Sequence, residues 1–219
     1  MFDLIIYDCD GTLIDSERLV ARVCMSAIHG LGLTHWTLDR YYSAFVGMPG
    51  HVGWGTVRDE LGHDLPVHFN NTVNEQISQL FKQELDALPG VRQAVLSIAG
   101  NRAVASSTPK AELTQNIRRA KLHDLFGDHI FSASQVRRAK PAPDVFLFTA
   151  SQMGHDTKHC LVVEDSVPGV VAARRAGMAV VGYTGSAHDP LMMQNRLLEA
   201  GAVAVAGHMD DLPAIVRSI

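Results

Sequence analysis

The chain has no long apolar run. Its most apolar stretches, such as Ala200–Ala206, fall far short of the roughly 20 residues a helix needs to cross a bilayer, which excludes a membrane-spanning helix. The opening residues, Met1-Phe2-Asp3-Leu4, carry no basic stretch leading into a long apolar segment, so no signal peptide is expected. An excess of positive charge is missing as well. Nineteen Lys and Arg stand against 23 Asp and Glu, a net charge of -4, which leaves no general basic field for a nucleic acid. Cysteine is scarce and odd in number. Cys9, Cys24 and Cys160 stand at no metal-like spacing and suit free, mostly buried thiols in a reducing, cytoplasmic setting. What is present is ordinary for a globular protein: 219 residues, 47% of them hydrophobic, enough for one large domain or two small ones and too apolar for disorder.

Short β-type runs punctuate most of the chain. Residues 2–7 form an apolar run that stops at Asp8, and others follow at Arg102–Ser106, His129–Ser132, Cys160–Val163, Ala179–Tyr183 and Ala202–Ala206. Runs of this length read as buried strands. Helical segments separate them from about Glu112 onward, and that alternation predicts a parallel sheet with crossover helices. Residues 16–88 read differently. Leu19, Val20, Val23, Cys24, Ala27, Ile28 and Leu31 recur at helical spacing, as do Leu38, Tyr41, Tyr42 and Phe45, and later Phe69, Val73, Ile77, Leu80, Phe81 and Leu85. This period predicts an all-helical insert of about four helices, ended by Leu88-Pro89-Gly90-Val91. The last helix is expected over Asp210–Ile219, with an acidic cap and Pro213 in its first turn.

Four strand ends carry chemistry. The first runs into Asp8-Cys9-Asp10-Gly11-Thr12-Leu13. On extended backbone Asp8 and Asp10 lean one way and Cys9 the other, and two carboxylates at a buried strand end need a cation, a shared proton or N–H donors. Gly11 permits the tight turn after them; an Asx/Gly turn is the plainer alternative. Val163-Glu164-Asp165-Ser166 repeats the theme, although Asp165 or Ser166 also suits the N-cap of a helix starting near Val167. Hard oxygen donors from two strand ends describe a Mg²⁺ site. Ala105-Ser106-Ser107-Thr108 offers a hydroxyl and N–H groups for a phosphate oxygen, or equally a Ser/Thr cap for the helix through Leu113 and Ile117. Lys140-Pro141-Ala142-Pro143-Asp144 holds an ammonium on a stiffened chain, suited to charge that builds during phosphoryl transfer; a solvated lysine is the alternative.

In this order, Asp8-Cys9-Asp10-Gly11-Thr12, Ser106, Lys140 and Glu164-Asp165 resemble the motifs of the haloacid dehalogenase-like (HAD) superfamily over essentially the whole chain. The helical insert, with Asp15-Ser16-Glu17, Lys140-Pro141-Ala142-Pro143, Glu164-Asp165-Ser166, Gly169 and Ala176-Gly177-Met178, resembles the β-phosphoglucomutase and phosphoglycolate phosphatase branch. The implied fold is α/β: a Rossmann-like parallel sheet with helices on both faces, formed by residues 1–15 and 89–219, and a small α-helical cap inserted at residues 16–88.

The resemblance implies a Mg²⁺-dependent phosphatase acting on a small phosphorylated metabolite, sugar phosphate-like. Asp8 would be the nucleophile and Asp10 the general acid and then base. Mg²⁺ would be held by the Asp8 side chain, the Asp10 carbonyl and Asp165, with Glu164 in support directly or through water. Ser106 and Lys140, with the amides of Cys9, Asp10 and Ser107, would bind the transferring oxygens. The cap would close over the substrate, hinged at residues 14–18 and 86–90. Where the mutase branch carries a basic specificity loop, Phe45–His51 here holds no Arg or Lys, and Val20 stands where the mutase has a histidine. Both departures favour hydrolysis over the alternative of a phosphosugar mutase. A non-enzymatic, receiver-like regulator leaves Asp10 and the helical insert unexplained, and carbon–halogen hydrolysis leaves Asp10 and Glu164-Asp165 without a task. Arg18, Arg22 and His51 are the candidate contacts to the leaving group. With no heptad seam, a monomer is expected.

Overall fold

The computed structural model describes residues 2–45 and 50–219, with the backbone alone at residues 50 and 51. The chain divides into two compact units, one of Ser16–Leu85 and one of Met1–Asp15 with Asp86–Ile219. Ser16–Leu85 holds helices α1 (Ser16–Gly30), α2 (Leu38–Phe45), α3 (Gly50–Leu61) and α4 (Phe69–Glu84). The apolar stripe of α1 turns Ala21, Val23, Cys24 and Ile28 onto Trp36, Tyr41, Val57 and Val73. The aromatic residues interlock as core: Phe45 meets Trp36 and Trp54 edge-on, and Trp54 meets Phe69 in the same way. Such pairs add about 0.5–1.5 kcal/mol beyond their buried area.

The second unit carries a six-stranded sheet: β1 (Leu4–Tyr7), β2 (Asn101–Ser106), β3 (Ile130–Ser132), β4 (Cys160–Glu164), β5 (Ala179–Tyr183) and β6 (Ala204–Ala206). All neighbours are parallel, in the order β3-β2-β1-β4-β5-β6. The order reverses between β1 and β4, so the crevice at their carboxyl ends is where an open α/β sheet takes its ligand.

Seven further helices follow α4: α5 (Val91–Ser97), α6 (Lys110–Arg119), α7 (His123–Phe126), α8 (Asp144–Met153), α9 (Val167–Arg175), α10 (Pro190–Glu199) and α11 (Leu212–Ser218). Alternation along the strands sends Leu4, Ile6, Ala103, Ala105 and Val162 to one face, against Val145 and Phe146 of α8, Val170 of α9 and Leu197 of α10. On the other face Tyr7 meets Phe126 of α7 edge-on at 5.8 Å between ring centroids. Burial on both faces is why β1, and β4 as far as Val163, are unbroken apolar runs rather than alternating. Each fully buried Leu, Ile or Phe contributes about 1.5–3 kcal/mol.

Several boundaries differ from the sequence pattern: β1 begins at Leu4 rather than residue 2, and β2 and β3 shift by one residue at their starts. The helical unit ends at Leu85 because Ala87 bridges Ile14 and the Leu88 N–H donates to the Leu13 carbonyl at 3.0 Å, tying these residues to the sheet unit. Strand β6 begins at Ala204, two residues late. A 3₁₀ turn at Met209–Asp211 precedes α11, and Asp211 occupies its N-cap without a side-chain cap bond. Among the described residues no helix is long and apolar enough to cross a membrane.

Candidate active site

Asp8 follows β1, and its N–H continues the ladder to the Val163 carbonyl of β4 at 2.9 Å. The side chain is buried, and Lys140 Nζ donates to its Oδ1 at 2.5 Å. The same ammonium donates to Glu164 Oε1 at 2.7 Å and to the Ala105 carbonyl at 3.3 Å, and lies 4.9 Å from the Phe146 ring centroid. Three strand ends therefore converge on one cation. Burial holds the Asp8 carboxyl well above its usual range, Lys140 opposes this, and Glu164 and Asp10 push further upward. Burial lowers the Lys140 ammonium, but Asp8 and Glu164 outweigh it and hold it above its usual value.

Glu164 turns both oxygens to fixed partners. Oε1 takes Lys140, and Oε2 accepts the N–H and the hydroxyl of Ser166 at 2.7 and 2.9 Å. The Ser166 hydroxyl also caps α9 by accepting the Gly169 N–H at 3.2 Å, so the capping alternative and a part in the site coexist at one residue. Gly169 must lack a side chain, because a Cβ there would stand 1.7 Å from Glu164 Oε1. These partners set Glu164 with Lys140 and Ser166.

Asp10 stands apart from the lysine. Its Oδ2 accepts hydroxyls from Thr108 at 2.7 Å and Ser106 at 3.3 Å, both from the segment that ends β2. Asp165 reaches across to the turn after Asp8: Thr12 Oγ1 donates to its Oδ1 at 3.2 Å. Gly11, at φ +75°, leaves the space that Asp165 fills, since a Cβ there would lie 2.2 Å from Oδ2. The turn is closed by the Cys9 carbonyl, which accepts N–H bonds from Leu13 at 2.8 Å and Ile14 at 3.1 Å, and by the Ser186 hydroxyl on the Gly11 carbonyl at 2.5 Å. The Cys9 thiol is fully buried, and burial with the Asp10 and Asp8 charges raises it well above its usual value. It behaves as a neutral filler. Cys24 and Cys160 are likewise free and buried.

The donor chemistry fits Mg²⁺. The charges of Asp8, Asp10 and Asp165 and the Lys140 ammonium all act on the Cys9 thiol between Asp8 and Asp10, which places three carboxyl groups and one ammonium close together. Among the described residues no three His, Cys, Asp or Glu side chains form a ready metal cage. Mg²⁺ takes one or two carboxylates and fills its octahedron with water and substrate phosphate. Asp8 and Asp165 would supply those carboxylates, with the Asp10 carbonyl between them in sequence.

Residues 2–177 match the haloacid dehalogenase-like hydrolase family. The chain belongs to that family. Among its HAD relatives, a phosphorylated carbohydrates phosphatase of Thermotoga maritima is 30% identical over 93% of this chain and 93% of its own. The 6-phosphogluconate phosphatase of Escherichia coli is 25% identical over 99% and 95%. The crystal structure of a putative β-phosphoglucomutase from Thermotoga maritima superposes with a TM-score of 0.80 at 28% identity, covering 99% of both chains. The six-stranded parallel sheet is thus a HAD Rossmann-like fold.

Of the residues singled out from sequence, Asp8, Lys140 and Glu164 form one buried cluster, Asp10 and Ser106 a second, and Asp165 joins the Gly11-Thr12 turn. Ser107 is exposed beside Ser106. Arg18 and Arg22 belong to the helical unit, where both are exposed and Arg22 pairs with Glu84 at 2.6 Å. Residues 46–49 of the expected specificity loop, and the His51 side chain, lie outside the described residues. Thr12 and Thr108 join the site although the sequence pattern assigns them no role. Their only signal in the sequence is a hydroxyl two residues beyond Asp10 and two beyond Ser106.

Proposed function

We propose that the protein is a Mg²⁺-dependent phosphatase that hydrolyses a small phosphorylated carbohydrate through an aspartyl-phosphate at Asp8. One observation carries the reading: two acids two residues apart have opposite surroundings, Asp8 bonded to an ammonium and Asp10 to hydroxyls. Acids so separated divide the labour of nucleophile and proton carrier.

In this reading the Asp8 carboxylate attacks phosphorus in line. The bond from phosphorus to the ester oxygen breaks, and Asp10 gives its proton to the departing alkoxide. Asp10 then takes a proton from water as the water oxygen attacks the aspartyl-phosphate. This regenerates Asp8 and releases phosphate. Lys140 and Ser106, with the amides of Cys9, Asp10 and Ser107, hold the transferring oxygens, and Glu164 keeps Lys140 aimed. Bound Mg²⁺, held by Asp8, the Asp10 carbonyl and Asp165, would neutralise charge on the phosphoryl oxygens. The helical unit is assigned the part of the cap that selects the substrate. The names of the relatives support the substrate class, since they act on phosphorylated carbohydrates and 6-phosphogluconate.

The test is phosphate release from p-nitrophenyl phosphate and a panel of sugar and sugar-acid phosphates with Mg²⁺. Activity should vanish with EDTA and in Asp8→Asn, and turnover by Asp8→Asn would remove the nucleophile. The likeness to a structure named a putative β-phosphoglucomutase makes a coupled isomerisation assay part of the panel. Isomer formation with little phosphate release would replace hydrolysis by a mutase.

A further inference from the structure

Thr108 ends a run of three consecutive hydroxyl residues just before α6, a position that reads as a helix cap. It is not one. Pro109 occupies the N-cap of α6, and the first helical N–H, that of Lys110, donates to Ser134 Oγ at 3.3 Å rather than to Thr108. The Thr108 hydroxyl instead donates to Asp10 Oδ2 at 2.7 Å, the shorter of the two hydroxyl bonds to that oxygen. Its backbone is held on both sides. The Thr108 N–H donates to Ser106 Oγ at 3.0 Å, and the Thr108 carbonyl accepts from Ser132 Oγ at 2.6 Å. Ser132 is fully buried at the end of β3, where it is fixed in a capping box with Gln135. The hydroxyl that meets Asp10 is thus braced from β2 and β3 together.

We propose that Thr108 is a positioning residue for Asp10. Two hydroxyl hydrogens on Oδ2 make that oxygen an acceptor and leave Oδ1 as the one that carries and delivers the proton. A carboxyl free to rotate would present either oxygen, and a misplaced donor costs rate without costing binding. The inference rests on the phosphatase reading above, with Asp10 as proton donor to the leaving group.

The test uses the full chain with Mg²⁺ and compares two leaving groups. The p-nitrophenolate ion departs without needing a proton, whereas the alkoxide of a sugar phosphate needs one. The parameter is kcat/KM, which ends at phosphoryl transfer to Asp8 and excludes the later hydrolysis step. Thr108→Val should lower kcat/KM on the best sugar phosphate by about 100-fold, the lower range for general acid catalysis, and on p-nitrophenyl phosphate by less than about threefold. The sugar phosphate loss should fall in kcat with KM nearly unchanged, and Thr108→Ser should restore it to within about threefold. Thr108→Ala provides the same comparison if the valine protein fails to fold. Equal losses on both substrates, or no loss on either, would overturn the inference while leaving an Asp8-dependent phosphatase intact. A wild-type protein that releases phosphate from neither substrate would overturn the phosphatase reading and this inference with it.

Discussion

Replacing Lys140 by methionine tests the centre of the site while leaving every proposed metal ligand in the chain. The ammonium lies 2.5 Å from Asp8 Oδ1 and 2.7 Å from Glu164 Oε1, and the three side chains are 6%, 9% and 1% exposed. Methionine keeps most of the stem but leaves two buried carboxyl groups without a counter-charge. Breaking a buried pair in this way costs about 3–5 kcal/mol. At about 2–4 °C per kcal/mol for a chain of this size, the melting temperature should fall by roughly 6–20 °C. The pH dependence has a definite sign. Asp8 is already held above its unfolded value of about 3.9 by burial, with Lys140 the group that pulls it down. A carboxyl raised on folding favours the native state only while it is protonated, so that support is lost as pH rises through the raised value. Without Lys140 the value moves higher still. The deficit of Lys140→Met against wild type should therefore be smaller near pH 5 than near pH 8.5, and should still be growing there. Thermal melts in EDTA at both pH values read this directly. A deficit that grows toward acid pH, or a melting temperature within about 2 °C of wild type at the higher pH, would refute the charge accounting.

Two further outcomes follow from the same geometry. Gly169→Ala places a Cβ 1.7 Å from Glu164 Oε1, so Glu164 or α9 must move. Denaturant titration should show a loss of about 1–3 kcal/mol, typical of an overpacked site, with reduced phosphate release because Lys140 loses an anchor. The control Gly30→Ala meets nothing within 4 Å and should leave both unchanged. Asp165→Ala removes the carboxylate seated over Gly11 and should raise the Mg²⁺ concentration for half-maximal activity by at least about tenfold; an unchanged Mg²⁺ requirement would remove Asp165 from the ligand set.

The sheet was legible because its strands are buried on both faces. Cys160–Val163 and Ala179–Tyr183 are short, unbroken and apolar, and β4 and β5 fall there to within one residue. The acids that end β1 and β4 were legible for the same reason, since a carboxylate set directly after a buried apolar strand has to be met by a cation, a proton or a hydrogen-bond donor. Partners were another matter. The local sequence around Lys140 suits a phosphate-binding ammonium or a solvated one and names no partner, since Asp8 lies 132 residues away along the chain. Thr108 resembles a helix cap, and Asp10, the group it meets, is 98 residues distant. Side-chain hydrogen bonds across parallel strands have no period, so no spacing in the sequence announces them. The C-terminal helix missed its expected acidic cap for a local reason: Asp211 is already helical in backbone, so its side chain does not turn back over the first turn.

The balance of charge bears on how a substrate must enter. Lys140 is shared between Asp8 and Glu164, while Asp10 and Asp165 are met by the hydroxyls of Ser106, Thr108 and Thr12. Hydroxyls orient a carboxylate but do not neutralise it. Apolar residues in place of the buried ion pair would suit stability at least as well. Such a site gains from its acids only when a cation arrives to use them. On the phosphatase reading proposed above, a phosphorylated substrate and a divalent ion are taken up together, the ion offsetting the carboxylates and the lysine kept for the oxygens that transfer.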